Sequence, residues 1–367
     1  MISGGKMKFK RQRHKQHELS GIEAQRLAHE IACAPIVFQV SRLMRKFGIL
    51  QMLSDAGGGL TLSEVAQQAH LSRYAAQVLL ESSLTIGTVA CTDGYYTLTK
   101  VGWFVLNDRM VGVNMDFNHD VNYLGLYRLE EALREERPAG LEVFGRWPTI
   151  YEGLSQLPPD VQRSWFAFDH FYSDHSFAEA LDIVFARPPR RLLDVGGNTG
   201  RFAMQCTDYN DAVEVTVMDL AQQLDLLRRQ TASYAHANRI HMLPANLLDE
   251  RTCFPSGFDV IWMSQFLDCF SETEVVSILT RAAKAMTSDT RLYIMETCWD
   301  RQQFETAAYC LTQLSVYFTA MANGNSKFFH SADLLRCIET AGLKAEQIHD
   351  HIGLGHSIIV CKKAITE

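Results

Sequence analysis

Leu192-Leu-Asp-Val-Gly-Gly-Asn-Thr-Gly200 decides the fold of this 367-residue chain. An apolar run that ends in Asp194 and breaks into Gly196, Gly197 and Gly200 reads as a buried strand entering a glycine-rich turn. In open sheets with strands and helices alternating, ligands bind beyond the carboxyl ends of the strands. Glycine there lets a ligand approach the backbone without meeting a Cβ. The spacing is not GxGxxG, which disfavours a dinucleotide pyrophosphate turn. A second acid, Asp219, follows 25 residues after Asp194 at the end of the next predicted strand. A carboxylate in that place accepts hydrogen bonds from both hydroxyls of a ribose.

Working outward, the strand predictions are 191–195, 214–218, 240–243, 259–263, 291–295, 345–351 and 357–362, with helices between the first five. The clearest helix is 273–286, with Val275, Ile278, Leu279, Ala282 and Met286 on one face. This alternation implies a mostly parallel sheet, with the last two strands paired antiparallel. Pro188-Pro189 marks the boundary before it.

Upstream, residues 20–55 read as helical, with Pro35 where a helix begins. Thr61-Leu-Ser-Glu64 has the spacing of a capping box. A second helix starts at Leu71-Ser72 and ends at Gly87, and Asp93-Gly94 joins two strands as a hairpin turn. Helix, helix, hairpin is the order of a winged helix. The second helix carries one basic residue, Arg73, which suits packing or dimerisation better than a DNA groove. Residues 111–190 read as helical and aromatic-rich. The predicted domains are therefore 1–110 and 111–367.

Bulk properties bound the function. A formal net charge of −7 argues against nonspecific nucleic-acid binding by the whole chain. Nine cysteines, an odd number with no CxxC pair, fit free thiols in a reducing cytoplasm and offer no zinc site. No apolar run reaches the ~18 residues of a membrane span. Six basic residues from Lys6 to Lys15 read either as a tether to an acidic surface or nucleic acid or as a solvated terminus.

The glycine turn together with Asp219 resembles the class I S-adenosylmethionine-dependent methyltransferases, in particular the O-methyltransferases with an N-terminal winged-helix dimerisation domain. The resemblance spans about residues 30–365. It implies a mainly α dimerisation domain ahead of an α/β, Rossmann-like, seven-stranded core, a homodimer, S-adenosylmethionine as cofactor, no metal, and a small aromatic or polyketide-like acceptor. The family's third glycine is Asn198 here. The resemblance places Asp194, Gly196, Gly197, Gly200, Asp219, Leu220, Asn246, Leu247 and Ser264 around the cofactor, with Asn246 where the family carries an acid and Ser264 where it carries a lysine. Phe168-Asp-His-Phe-Tyr-Ser-Asp-His-Ser176 is similar to a family segment that assigns Tyr172 and Ser176 to the cofactor and Tyr172 and His175 to the substrate. Asn323 resembles an asparagine at the substrate end.

One departure matters chemically. Phe266-Leu-Asp-Cys-Phe-Ser-Glu272 is similar to the segment that bears the family's general-base histidine, and matching Phe270 to the family's tryptophan puts Asp268 in its place, while a frame shifted by one puts Leu267 there and loses that aromatic match. Glu296 resembles the acid that orients that histidine, and Phe328 occupies the position of a second such acid. Methyl transfer to a phenol needs deprotonation as the oxygen attacks, and an ordinary Asp, with a pKa of about 4 against about 10 for a phenol, is a weak base unless burial raises it. His175 is the alternative base, and a cap of the following helix is the alternative role for Asp268. Loss of the histidine also leaves C-methylation or a non-methylating reaction open. The winged helix leaves a cofactor-sensing transcription regulator open.

Overall fold

The computed structural model describes residues 19–364, so the basic segment 6–15 lies outside the described residues. The chain forms two compact units, 1–116 and 117–367, which puts the division six residues beyond the predicted 110.

The described part of the first unit opens with helix Gly21–Lys46. Ser20 caps it and Glu23 reaches back to the Ser20 backbone, a complete capping box. Pro35 therefore lies inside this helix and does not begin it. Helices Leu62–Gln68 and Arg73–Ile86 follow, capped by Thr61 with Glu64 and by Ser72. Gly87 ends the second in the left-handed region at φ +87°. Strands β2 (Val89–Thr92) and β3 (Tyr95–Leu98) then pair antiparallel around Asp93 and Gly94. Both turn residues have positive φ, as a tight two-residue hairpin requires. A short β1 (Leu60–Thr61), not foreseen, pairs with β3. Met44, Ile49, Leu50, Val65, Leu80 and Val89 form the core of this unit.

The second unit is built on β4 (Arg191–Val195), β5 (Glu214–Asp219), β6 (Ile240–Pro244), β7 (Val260–Ser264), β8 (Arg291–Glu296), β9 (Leu343–Ile352) and β10 (His356–Lys363). Their order is β6-β5-β4-β7-β8-β10-β9. The first five are parallel, and β10 runs antiparallel to both β8 and β9. All seven predicted strands are present, displaced at their ends by a few residues at most.

Side-chain alternation explains the layering. Leu193, Val195, Ile261, Met263, Leu292 and Ile294 face the helices Glu272–Ala285 and Ser331–Thr340. Leu192, Val215, Val217, Trp262 and Met295 face Phe177–Val184, Arg201–Tyr209 and Ala221–Thr231. Strands covered on both sides are apolar along their length, and this is why β4 and β7 read as unbroken hydrophobic runs.

A third core draws Phe117, Val121, Leu141, Ile150, Leu154 and Trp165 together with Leu311, Leu314, Tyr317 and Phe318. The helical cap thus unites segments before β4 with helix Glu305–Tyr317 after β8. That helix ends in a π-helical turn, Phe318–Ala322, a local irregularity often found at functional sites.

Candidate active site

The carboxyl ends of β4, β5 and β7 and the underside of the cap enclose one cavity. Its cofactor end starts at β4. Gly196 turns at φ +72° and Gly197 lies against the Asp194 carboxylate, where an added Cβ would collide. Asn198 takes φ +51°, a conformation that Asn tolerates better than other non-glycine residues. This accounts physically for Asn in the family's third glycine position. The Asn198 backbone N–H donates to Asp219 Oδ2 (2.8 Å), and Leu220 N–H donates to Asp219 Oδ1 (2.7 Å). Asp194 is 2% exposed, and its Oδ2 has no hydrogen-bond partner. Burial and the neighbouring Asp219 push the Asp194 pKa up to about 8, and burial raises Asp219 to about 6.

Asp194, Gly196, Gly197, Asp219, Leu220, Asn246, Leu247 and Ser264 all line this cavity. Gly200 does not: at φ +78° it caps helix Arg201–Tyr209 and packs against Leu227, so its role is in the turn. Asn246 accepts from Leu248 N–H at 3.0 Å, which holds its loop and leaves its Nδ2 free of that bond. An orphaned buried carboxylate oxygen, a glycine cradle and a ribose-spaced acid together fit S-adenosylmethionine.

The opposite end is aromatic. Phe117 stacks on Phe168 with centroids 4.0 Å apart, Trp165 Nε1 donates to Tyr317 Oη (2.7 Å), and Phe270, Phe318 and Phe328 complete the wall, while the Phe266 ring lies against Gly196 of the glycine turn. Phe328, at the second orienting-acid position, is thus part of an apolar surface. Into this end projects Asp268, 4% exposed, on a single 3-10 turn, Leu267–Cys269. It does not cap the following helix: Ser271 and Glu274 do that with a full capping box. Burial raises the Asp268 pKa to about 7, and nearby Asp169 adds to the rise.

Glu296 lies behind this turn and does not line the cavity. Its Oε1 accepts from the N–H groups of Phe266 (3.0 Å) and Leu267 (2.7 Å). Burial, then the Asp268 charge, holds it well above the usual carboxylate range. Glu296 therefore holds the Asp268 turn from behind the cavity lining. Asn323 lines the cavity, but its Nδ2 donates to Cys269 O (2.5 Å) and its Oδ1 accepts from Ser326 Oγ (2.9 Å). It ties the π-turn of the cap to the Asp268 turn.

The cap segment corrects three further assignments. Tyr172, His175 and Ser176 do not line the cavity. His175 is exposed, with Nδ1 against Phe171 O (2.7 Å). Ser176 is fully buried and bonded to His356 Nδ1 (2.7 Å), while Tyr172 packs on Phe168 and Phe171. Helix Pro159–Asp174 turns Phe168, Asp169, His170 and Ser173 inward instead. A match along a segment fixes order, but the phase of a helix fixes which residues face inward.

Asp169 and His170 were not anticipated. Asp169 Oδ2 accepts from Asn198 Nδ2 (3.3 Å) and so reaches the glycine turn, and burial raises its pKa to about 7. His170 is lowered to about 4 by burial and by Arg201, which keeps it neutral. The i, i+3, i+4 spacing of 165, 168, 169 and of 169, 173 was a helical-face signal available in the sequence.

Family models match on this frame: a Dimerisation2-like domain over residues 25–96 and an O-methyltransferase domain over 127–342. Demethylspheroidene O-methyltransferase of Rhodobacter capsulatus is 23% identical over 308 residues, covering 83% of this chain and 73% of that protein. The 3-hydroxy-5-methyl-1-naphthoate 3-O-methyltransferase of Streptomyces sahachiroi is 24% identical over 256 residues, covering 66% and 68%. Among solved structures, the apo form of the S-adenosylmethionine-dependent methyltransferase SibL shares the fold with a TM-score of 0.69 at 22% identity, over 92% of this chain and 99% of that one. NcsB1 of neocarzinostatin biosynthesis, in complex with S-adenosylmethionine and 2-hydroxy-5-methyl naphthoic acid, does so with a TM-score of 0.64 at 19% identity, over 89% and 95%. With the O-methyltransferase model matched across more than half its length, the chain belongs to the O-methyltransferase domain family.

Proposed function

We propose that this protein methylates the hydroxyl of an apolar, planar acceptor, aromatic or polyketide-like, with Asp268 as the general base. The observation that carries the reading is a buried carboxylate on a turn held by Glu296, facing an aromatic chamber that is continuous with the glycine cradle.

Asp194, Gly196, Gly197, Asp219, Leu220, Asn246, Leu247 and Ser264 would hold S-adenosylmethionine, whose chemistry when bound is that of an electrophilic methyl on sulfur. The chain's own residues supply the rest. The aromatic walls exclude water and orient the acceptor ring. Asp268 takes the hydroxyl proton as the oxygen becomes nucleophilic, and a base tuned near the working pH is the most effective kind. Positioning the reactants adds more than the base itself.

Homodimerisation is proposed for the first unit. Ile22, Ile31 and Ile36 are 81, 68 and 63% exposed along helix Gly21–Lys46, and Trp103 and Phe104 are about half exposed. Apolar surface of that extent on a domain matching a dimerisation model calls for a second copy. The nine free cysteines support a reducing, cytoplasmic setting. Among the described residues no helix is long and apolar enough to cross a membrane.

Calorimetric titration with S-adenosylmethionine, followed by an acceptor screen read by mass spectrometry, tests the proposal. Cofactor binding with a stable ether product supports it. A carbon-methylated product, or no cofactor binding by the folded protein, overturns it.

A further inference from the structure

We infer that the acceptor chamber selects against anionic ligands, so that the physiological acceptor carries no free carboxylate, sulfonate or phosphate. The inference rests on the methyltransferase reading of the same cavity and adds the charge class of its substrate.

The side chains that meet at the acceptor end show why. Phe117, Trp165, Phe168, Phe318 and Phe328 give it apolar walls. Arg201 aside, the charged side chains that line the cavity are acids: Glu152, Asp169, Asp268 and Glu274, besides Asp194 and Asp219 at the glycine turn. Among the described residues no lysine lines the cavity, and the one arginine that does, Arg201, is paired with Asp174. His170 lines it as well, and that ring is held neutral.

An anion buried here would lose its hydration and gain no cation from the chain's own side chains, since a buried charge is tolerated only when paired. It would also stand beside the Asp268 and Asp169 carboxyls, whose ionised forms a further negative charge disfavours. Hydroxyl and carbonyl groups fare better: Tyr151 and Asp268 both line the chamber and offer them hydrogen-bonding groups. The Streptomyces sahachiroi relative is named for a naphthoate. Among the described residues this chain's chamber has no unpaired cationic side chain to neutralise that group.

The two probes that test this share a planar frame and differ in charge. N-phenyl-1-naphthylamine is neutral, and 1-anilinonaphthalene-8-sulfonate carries a sulfonate. Each is titrated into the full-length protein with S-adenosylhomocysteine present, and binding is read by energy transfer from Trp165, with Trp165→Phe as the blank. The neutral probe should bind at least ~100-fold tighter, the equivalent of about 2.7 kcal/mol. A Glu152→Gln/Asp268→Asn double variant should close most of that gap. Equal or tighter binding of the sulfonate at the Trp165 site, binding of neither probe, or a gap unchanged in the double variant would overturn the inference. Cofactor affinity is measured separately by calorimetry, so failure of the methyltransferase reading stays distinct from failure of the charge rule.

Discussion

Asp268→Asn separates the base from its scaffold. The side chain keeps its size and loses its proton-accepting charge. Burial places Asp268 at about 7, roughly three units above an ordinary Asp, so it is half ionised near neutrality. The wild-type kcat/KM should rise with pH through about 7 and fall about tenfold for each unit below it. Loss of a general base typically costs about 10²–10⁴-fold. In the variant that loss should be largest between pH 7 and 8 and shrink toward pH 10, where a phenol ionises unaided.

Stability should move the other way. A carboxyl raised on folding binds more protons in the folded state than in the unfolded one. Its contribution is fully present below about pH 4 and is lost as pH climbs through about 7. Three units correspond to about 4 kcal/mol. Asp268→Asn should therefore be more stable than the wild type at pH 8, by several degrees in Tm, with little difference at pH 4. Stopped assays across pH 6–10 and thermal melts at the two pH values make the check. An unchanged rate profile, or a variant less stable at pH 8, would refute the reasoning.

Asp219→Ala should weaken S-adenosylmethionine binding at least ~10-fold by calorimetry, since it removes a carboxylate placed to accept two ribose hydrogen bonds. Gly197→Ala forces a Cβ into the Asp194 carboxylate and should abolish cofactor binding, with a stability loss of about 1–3 kcal/mol in denaturant melts. Glu296→Ala strands the Phe266 and Leu267 N–H groups, at about 1–3 kcal/mol each, and should lower kcat with melting temperature, whereas Glu296→Gln keeps the accepting oxygen and most of both. His175→Ala should leave kcat/KM within about twofold, as an exposed ring outside the cavity predicts. Ile31→Asp with Trp103→Asp should shift the protein toward monomer in sedimentation velocity.

Much of the fold was legible because it is written in local periodicity. The seven strands, the hairpin at Asp93-Gly94 and the caps at Thr61 and Ser72 each depend on residues close in sequence. So did the cofactor end: Asp194, the two glycines and Asp219 sit at strand ends, where topology alone directs them to one edge. Pro35 misled because its helix is set by Ser20 and Glu23, a pair that outweighs one missing hydrogen bond.

The acceptor end was read less well for a physical reason. Its residues come from segments that meet only in three dimensions, 117–177 before the sheet and 305–328 after β8. Which face of helix Pro159–Asp174 turns inward was decided by packing, and it chose Asp169 and His170 over His175. Likewise the sequence named Asp268, Glu296 and Asn323, but only tertiary structure brought Asp268 and Asn323 to the cavity wall and set Glu296 behind it, holding the turn. Burial did the rest, since an aspartate becomes a base near neutrality only when the chain folds water away from it.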